Sequence, residues 1–269
     1  MLTVFKELLS SIKYLLMCVG YNVKESVSNK KSFVIQTTAM FLNNFVFIFF
    51  WQVLFANKGG SINGMTIQDI LYLWSIPTIG YGIAFFCFGG MDTLCKDIVE
   101  GNLDIYLTKP KNSLISTLTS RSILSAMGDL LFGLVCGLIA VKFNPIRFLA
   151  IIGLGVLSGV LTTSILTGIR LLSFWFGDIS NVAHKYTHSL FVTLTIYPEQ
   201  MFPGIIKLAM YTVIPAAYVA HVPVRLMNEF SLKGIGIMIV AAGVFVTLMF
   251  VLYNKGLKKY ESGNSVTRR

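Results

Sequence analysis

The chain has 269 residues, 55% of them hydrophobic and only 13% charged, with a formal net charge of +10 and a mean hydropathy of +0.72. Soluble domains carry roughly 25% charged residues, so a chain this apolar cannot cover a globular surface and needs membrane lipids as its solvent. The positive charge does not indicate nucleic acid, because no DNA- or RNA-binding motif accompanies it. Basic residues of membrane proteins gather instead in cytoplasmic loops.

Residues 3–27 read as an amphipathic helix. Phe5, Leu8, Leu9, Ile12, Leu15 and Leu16 recur at helical spacing among Lys6, Glu7, Lys13 and Lys24. Such a segment ahead of a span lies in the membrane interface or docks as an arm on another subunit. It is not a signal peptide: Lys6 and Glu7 interrupt it, and the apolar run Tyr14–Val19 is short, with no small-residue cleavage site. A first span is expected over Ser32–Phe55, with Trp51 near its far end in an aromatic belt. Asn43 and Asn44 fall mid-span, and an unpaired amide in hydrocarbon is costly, so both should face other helices. The short polar loop Asn57–Gly64 leads to a second span, about Ile70–Gly90. Pro77 should kink it, and Gly80 with Ala84 makes a small face.

The stretch 92–111 is too charged to span. Asp92, Lys96, Asp97, Glu100, Asp104, Lys109 and Lys111 surround Ile98, Val99, Leu103, Ile105, Tyr106 and Leu107. It reads as a short helix ending near Gly101, then a second turn stopped by Pro110. A third span follows over Leu114–Val141, with Arg121 near its start and a Gly133-x-x-x-Gly137 packing face. A tight turn over Lys142–Arg147 leads to the fourth span, Phe148–Trp175, which carries Gly155-x-x-x-Gly159. A shorter fifth span is expected over Asn181–Tyr197. Pro198, Pro203, Pro215 and Pro223 then break residues 198–230 into two apolar pieces, Met201–Tyr211 and Val213–His221, each too short to span. Paired short pieces of this kind suggest a re-entrant or interfacial hairpin. The last span is expected over Ile235–Tyr253, before a basic tail.

The fold class is therefore an all-α membrane protein. It has an interfacial helix (1–31), a six-span domain (32–253) with the charged segment 92–111 and the hairpin 198–230, and a tail (254–269). With the N-terminus inside, sixteen of the 22 Lys and Arg residues fall on the cytoplasmic side and six outside. That bias puts both termini and residues 92–111 in the cytoplasm and the hairpin on the outer face.

Several patterns resemble chemistry without meeting its requirements. Gly153-x-Gly155-x-x-x-Gly159 lies in an apolar helix with no strand before it and no acid about 20 residues on, so it reads as helix packing, not a dinucleotide site. His184 and His188 have the spacing of a zinc pair, but Lys185 stands where a metalloprotease has Glu, and no third ligand is nearby. Ser158 has no histidine in a later span to activate it. The four cysteines lack metal or disulfide spacing and read as reduced packing residues. No phosphate-binding Gly-x-x-x-x-Gly-Lys-Ser/Thr loop is present, so any ATP is bound by another chain. Asp129 is the one acid deep in an expected span, and intramembrane acids are functional candidates by default. It fits either a proton or cation site of a carrier, or a structural partner for Arg170 or for a polar group on another helix.

The order of parts, with the stretch Ile98-x-x-Gly101-x-Leu103-Asp104-x-x-Leu107-x-Lys109-Pro110 and the hairpin Tyr197-Pro198 through Pro203 and Pro215, resembles the permease subunit of type-2 ABC exporters. Within them it is similar to a six-span bacterial branch. The resemblance covers nearly the whole chain. It implies a non-enzymatic permease in the bacterial plasma membrane, paired with a second permease, the same or a sister chain, on separate ATPase subunits that hold ATP and Mg. The segment of Asp97, Ile98, Glu100, Gly101, Leu103, Asp104 and Tyr106 would be a coupling helix docked in the ATPase. Ile98, Leu103 and Tyr106 would fill a groove, and the acids would meet a basic rim. Asn43, Asn44, Asp129, Arg121 and Arg170 would be pathway or structural polar residues, and the hairpin would cap the outer end. An ion-coupled secondary carrier using Asp129 is the alternative; it should show inverted repeats, and none is visible. Substrate is not legible at this level.

Overall fold

The computed structural model describes residues 2–62 and 64–260 and, in the first helix, side chains at position 10 and from 13 on, residue 26 excepted. Helix α1 (Leu2–Ser28) meets α2 (Lys30–Asn57) at Asn29, whose side chain accepts from the Ser32 N–H at 3.2 Å and caps α2. The junction thus falls two residues before the boundary expected at 31. Phe5, Leu8, Leu9 and Ile12 of the expected amphipathic face, and the tail from residue 261 on, lie outside the described residues.

The polar loop after α2 contains a small antiparallel ribbon, β1 (Ser61–Ile62) with β2 (Met65–Thr66). It feeds α3 (Ile67–Cys87), which starts on a Thr66–Asp69 capping box. A 3-10 turn (Gly89–Thr93), α4 (Leu94–Val99), α5 (Asp104–Leu107) and α6 (Ser113–Leu118) form the charged segment and its exit. Helices α7 (Ser125–Ala140) and α8 (Pro145–Leu171) follow, joined through Lys142 and Phe143, both left-handed at φ 51° and 61°. Next come α9 (Ser173–Phe176), α10 (Ser180–Lys185), a π-helical turn (Tyr186–Phe191) and α11 (Val192–Ile196). The proline-rich region forms α12 (Gly204–Tyr211), α13 (Ala216–Val219) and α14 (His221–Asn228), and α15 (Leu232–Leu257) closes the bundle.

Among the described residues four helices are long and apolar enough to cross a membrane: α2, α3, the run from α8 into α9, and α15. The other two expected spans arrive as shorter pieces. The third is cut: helix runs over 113–118 and 125–140, and residues 119–124 cross between them. The cause is local. Thr117, Thr119, Ser120 and Ser122 offer the backbone competing hydroxyls. The crossing segment is also held against the end of α3, where Ile123 N–H donates to Phe85 O at 3.1 Å and the Ser122 hydroxyl donates to Phe86 O at 2.5 Å. The fifth is the broken run 180–196, with the π turn in its middle.

Helix α3 is the centre of the bundle. It packs on α7 and α8, with α2 outside α7 and α15 outside α8. Small residues allow this. A Cβ at Gly133 would lie 2.9 Å from the Ile79 backbone nitrogen, one at Gly155 2.6 Å from Ile79 Cγ2, and one at Gly80 2.5 Å from Ser158 Oγ. Both G-x-x-x-G faces are therefore seats for α3. Pro77 lies inside α3, buried. Trp51 is not in an aromatic belt: only 3% exposed, it packs inward against Phe55 and Tyr197, because α14 and the end of the fifth run cover that end of α2.

One end of the bundle gathers α1, residues 88–124 and the end of α15. Tyr14 OH donates to Ser116 Oγ at 3.1 Å, Asn22 Nδ2 to Thr119 O at 3.0 Å, and Tyr253 OH to Ser113 Oγ at 2.8 Å. The other end holds the ribbon and residues 196–234, joined where Asn228 donates to Asp69 at 2.5 Å. The charged segment and the proline hairpin thus lie at opposite ends.

Candidate functional site

A cavity of about 440 Å³ opens between α2, α3, α7 and the fifth helical run. Drug-sized ligands occupy sites of roughly 300–1,000 Å³. Its polar centre is Asp129, 7% exposed, whose Oδ1 accepts from Asn44 Nδ2 at 2.7 Å. Gly128 makes this possible: a Cβ there would sit 2.4 Å from Thr37 O, so only glycine lets α7 approach α2 closely enough. Asn43, the other expected buried amide, is exposed and lines the same cavity, because one helix position turns it away from α7.

Asp129 does not meet Arg170. Arg170, at 1% exposure, donates to Leu166 O at 3.1 Å and pairs with Asp92 at 3.4 Å. The two groups are carried toward different neighbours, Asp129 toward α2 and Arg170 toward the 3-10 turn. Asp92 lines both the large cavity and a polar pocket of about 250 Å³ that includes Arg170, Lys96 and His184. Arg121 is exposed, in the crossing segment 119–124.

The aromatic wall of the cavity has a signal in the sequence. Trp74, Thr78, Tyr81 and Phe85 recur at spacings of four, three and four, one face of α3. Trp74 stacks on Phe47 with centroids 5.2 Å apart, and its indole N–H is buried with no hydrogen-bond partner among the described residues. Tyr81 OH is tied to Thr195 Oγ1 at 2.8 Å. His188 also lines the cavity, stacked on Phe85 and 4.3 Å from the His184 ring. Ser158 is committed to Val219 O at 2.9 Å.

In the charged segment, α4 ends at Glu100, and Gly101 turns the chain at φ +81°, a conformation that side-chain-bearing residues rarely adopt. Ile98 and Leu103, expected to fill a partner's groove, are buried in this chain's own core, where α4 packs on α8 and α9. The apolar side chains presented outward are Ile105, at 64% exposure, and Leu107, at 42%. Tyr106 is half-buried under the Lys109 ammonium, 4.7 Å from its ring centroid. Asp97 accepts from Thr93 Oγ1 at 2.9 Å, Glu100 accepts from Asn102 Nδ2 at 3.1 Å, and Asp104 is half-buried. Burial pushes the nearby Tyr260 hydroxyl up to about 12, and the Asp104 carboxylate adds to that shift.

The hairpin pieces are α12 and α13–α14 in place of 201–211 and 213–221. Pro198 and Pro215 are buried and Pro203 is exposed; Pro203 and Pro215 directly precede α12 and α13. Glu199 holds the region together, accepting from Lys207 at 2.9 Å and from Arg225 and Tyr211 OH at 3.2 Å each. His221 Nε2 is 2.9 Å from Leu194 O, tying α14 to the fifth run.

A helical bundle with several membrane-crossing helices, a cavity inside it and polar segments at both ends defines an all-α, multi-pass membrane protein. The chain matches the family described as ABC-2 family transporter protein over residues 41–264, and it belongs to that family. It is a membrane permease of an ABC transport system, and the family implies an ATPase partner. Comparison with curated proteins and with solved structures found no match.

Proposed function

We propose that the chain is the permease of an ATP-driven exporter in a bacterial plasma membrane, coupled to a separate ATPase through residues 94–107. Both termini and this segment face the cytoplasm, and the chain pairs with a second permease, the same or a sister chain. The chain itself makes and breaks no bonds; ATP and Mg belong to the ATPase.

The observation that carries the reading is the outward pair Ile105 and Leu107, set beside Glu100 and Asn102 on a segment rooted in the core by Ile98 and Leu103. An exposed apolar pair with a polar rim suits a docking groove. A segment anchored by buried side chains transmits a push in place of absorbing it. The Asp92–Arg170 pair links that segment to α8, and Asp92 also borders the cavity. Closure of the ATPase dimer would move residues 94–107 and, with them, α3 and α8 around the cavity, an alternating-access cycle of packed elements.

The test is affinity purification of the tagged chain in mild detergent, comparing wild type with Gly101→Pro and Ile105→Glu. An ATPase that accompanies the wild type and is lost from both variants supports the coupling role. An ATPase that stays with both variants overturns the coupling role of residues 94–107, and its absence from the wild type overturns ATP-driven export.

A further inference from the structure

The large cavity has a definite electrical character. Two carboxylates, Asp92 and Asp129, line it, and neither Lys nor Arg does. Asp92 is answered by Arg170 from outside the cavity. The one basic side chain in the lining is His188, and Asp129 has a neutral amide, Asn44, as its hydrogen-bond partner. Around it stand the rings of Phe47, Trp74, Tyr81 and Phe85. Aromatic faces are negative and attract cations, most strongly where water is excluded. A buried carboxylate facing aromatic rings is costly until a cation reaches it. A hydrophobic anion would meet the opposite: negative ring faces and a like charge.

The aromatic wall is held in place: Tyr81 OH is tied to Thr195 Oγ1, and Trp74 stacks on Phe47. The Trp74 indole N–H is itself buried away from the cavity space and offers a ligand no donor.

We infer that this cavity binds a hydrophobic organic cation, its charge held by Asp129 and the aromatic wall. The inference rests on the permease reading, in which this molecule is the transported substrate, and it names the class of that substrate. The volume suits a single drug-sized molecule.

The experiment measures binding to the purified full-length chain in detergent by calorimetric titration. The probes are tetraphenylphosphonium and the same-shaped anion tetraphenylborate. Wild type is expected to prefer tetraphenylphosphonium to tetraphenylborate by about ten-fold or more, and Asp129→Asn to lose that preference. Asp129→Glu keeps the charge and should restore most of it. Equal binding of cation and anion by wild type overturns the inference, and needs no variant to fold. Unchanged cation preference in Asp129→Asn overturns it too. These arms do not involve the ATPase. Cation binding without any co-purifying ATPase would sink the exporter reading alone, and ATPase capture without cation preference would sink this inference alone.

Discussion

Asn44 and Asp129 hold each other across the bundle, the amide of α2 donating to the carboxylate of α7 at 2.7 Å. Interhelical hydrogen bonds in membranes contribute modestly, often below about 1 kcal/mol. Leaving a buried carboxylate without its donor costs more, about 1–3 kcal/mol. Asn44→Leu should therefore lower thermal stability in detergent by about that amount. Removing both partners in Asn44→Leu/Asp129→Leu should recover most of the loss, because no orphan remains. A double variant as unstable as the sum of its parts would show that the pair is not coupled.

The seat of α3 on α7 has no room for a side chain. Gly133→Leu should destabilise by about 1–3 kcal/mol or more, since its Cβ would meet the Ile79 backbone and not a movable side-chain tip. Gly243, on α15, has open space around its Cβ position, and Gly243→Ala should gain about 0.4–1 kcal/mol. Detergent melting curves of the two variants should move in opposite directions.

Two isoleucines seven residues apart are expected to separate folding from docking. Ile98→Ala should cost about 2–5 kcal/mol, because the side chain is buried against the core. Ile105→Ala should stay within about 0.5 kcal/mol of wild type yet reduce the amount of ATPase recovered with the tagged chain. Equal melting temperatures for both variants would contradict the burial difference.

Glu199 gathers three donors of the proline hairpin. Its basic partners are about half exposed, so the cluster is worth only about 1 kcal/mol. Glu199→Ala should leave the bundle folded and speed amide hydrogen exchange over residues 204–228 selectively. Uniform exchange changes along the chain would argue against a local role.

At the start of α10, the Ser180 hydroxyl and N–H donate to Asp178 and hold its carboxyl below the usual carboxylate range. A depressed acid contributes stability that is present above its unfolded value, about 3.9, and lost as pH falls through the lower folded value. Wild type should thus lose a small increment below about pH 4 that Asp178→Asn lacks from the outset. Parallel melting curves against pH for the two proteins would rule the contribution out.

Much of this fold is legible along the chain. Apolar runs mark the spans, Pro198, Pro203 and Pro215 mark the hairpin, and Gly101 marks the turn between two short helices, as the structure has it. The third span shows where that reading stops. Its composition is apolar enough for one helix over 114–141, but the pull of Phe85 O and Phe86 O on Ser122 and Ile123 breaks it, and those partners lie far back in the sequence. The site is similar. Asp129 is visible as an intramembrane acid, but its partner is Asn44 and not Arg170, and Ile98 and Leu103 turn into the core while Ile105 and Leu107 turn out.

The sequence by itself determined that this protein lives in lipid, where its four long apolar helices begin and end to within a few residues, and which family it resembles. Those properties depend on hydropathy and on local backbone chemistry, which a single segment carries alone. Only the tertiary structure decided which face of each helix meets which neighbour. That depends on close approaches such as Gly128 on Thr37 and Gly133 on Ile79, made between segments distant in sequence. Through them Asp129, its partner Asn44 and four aromatic rings come to line one cavity.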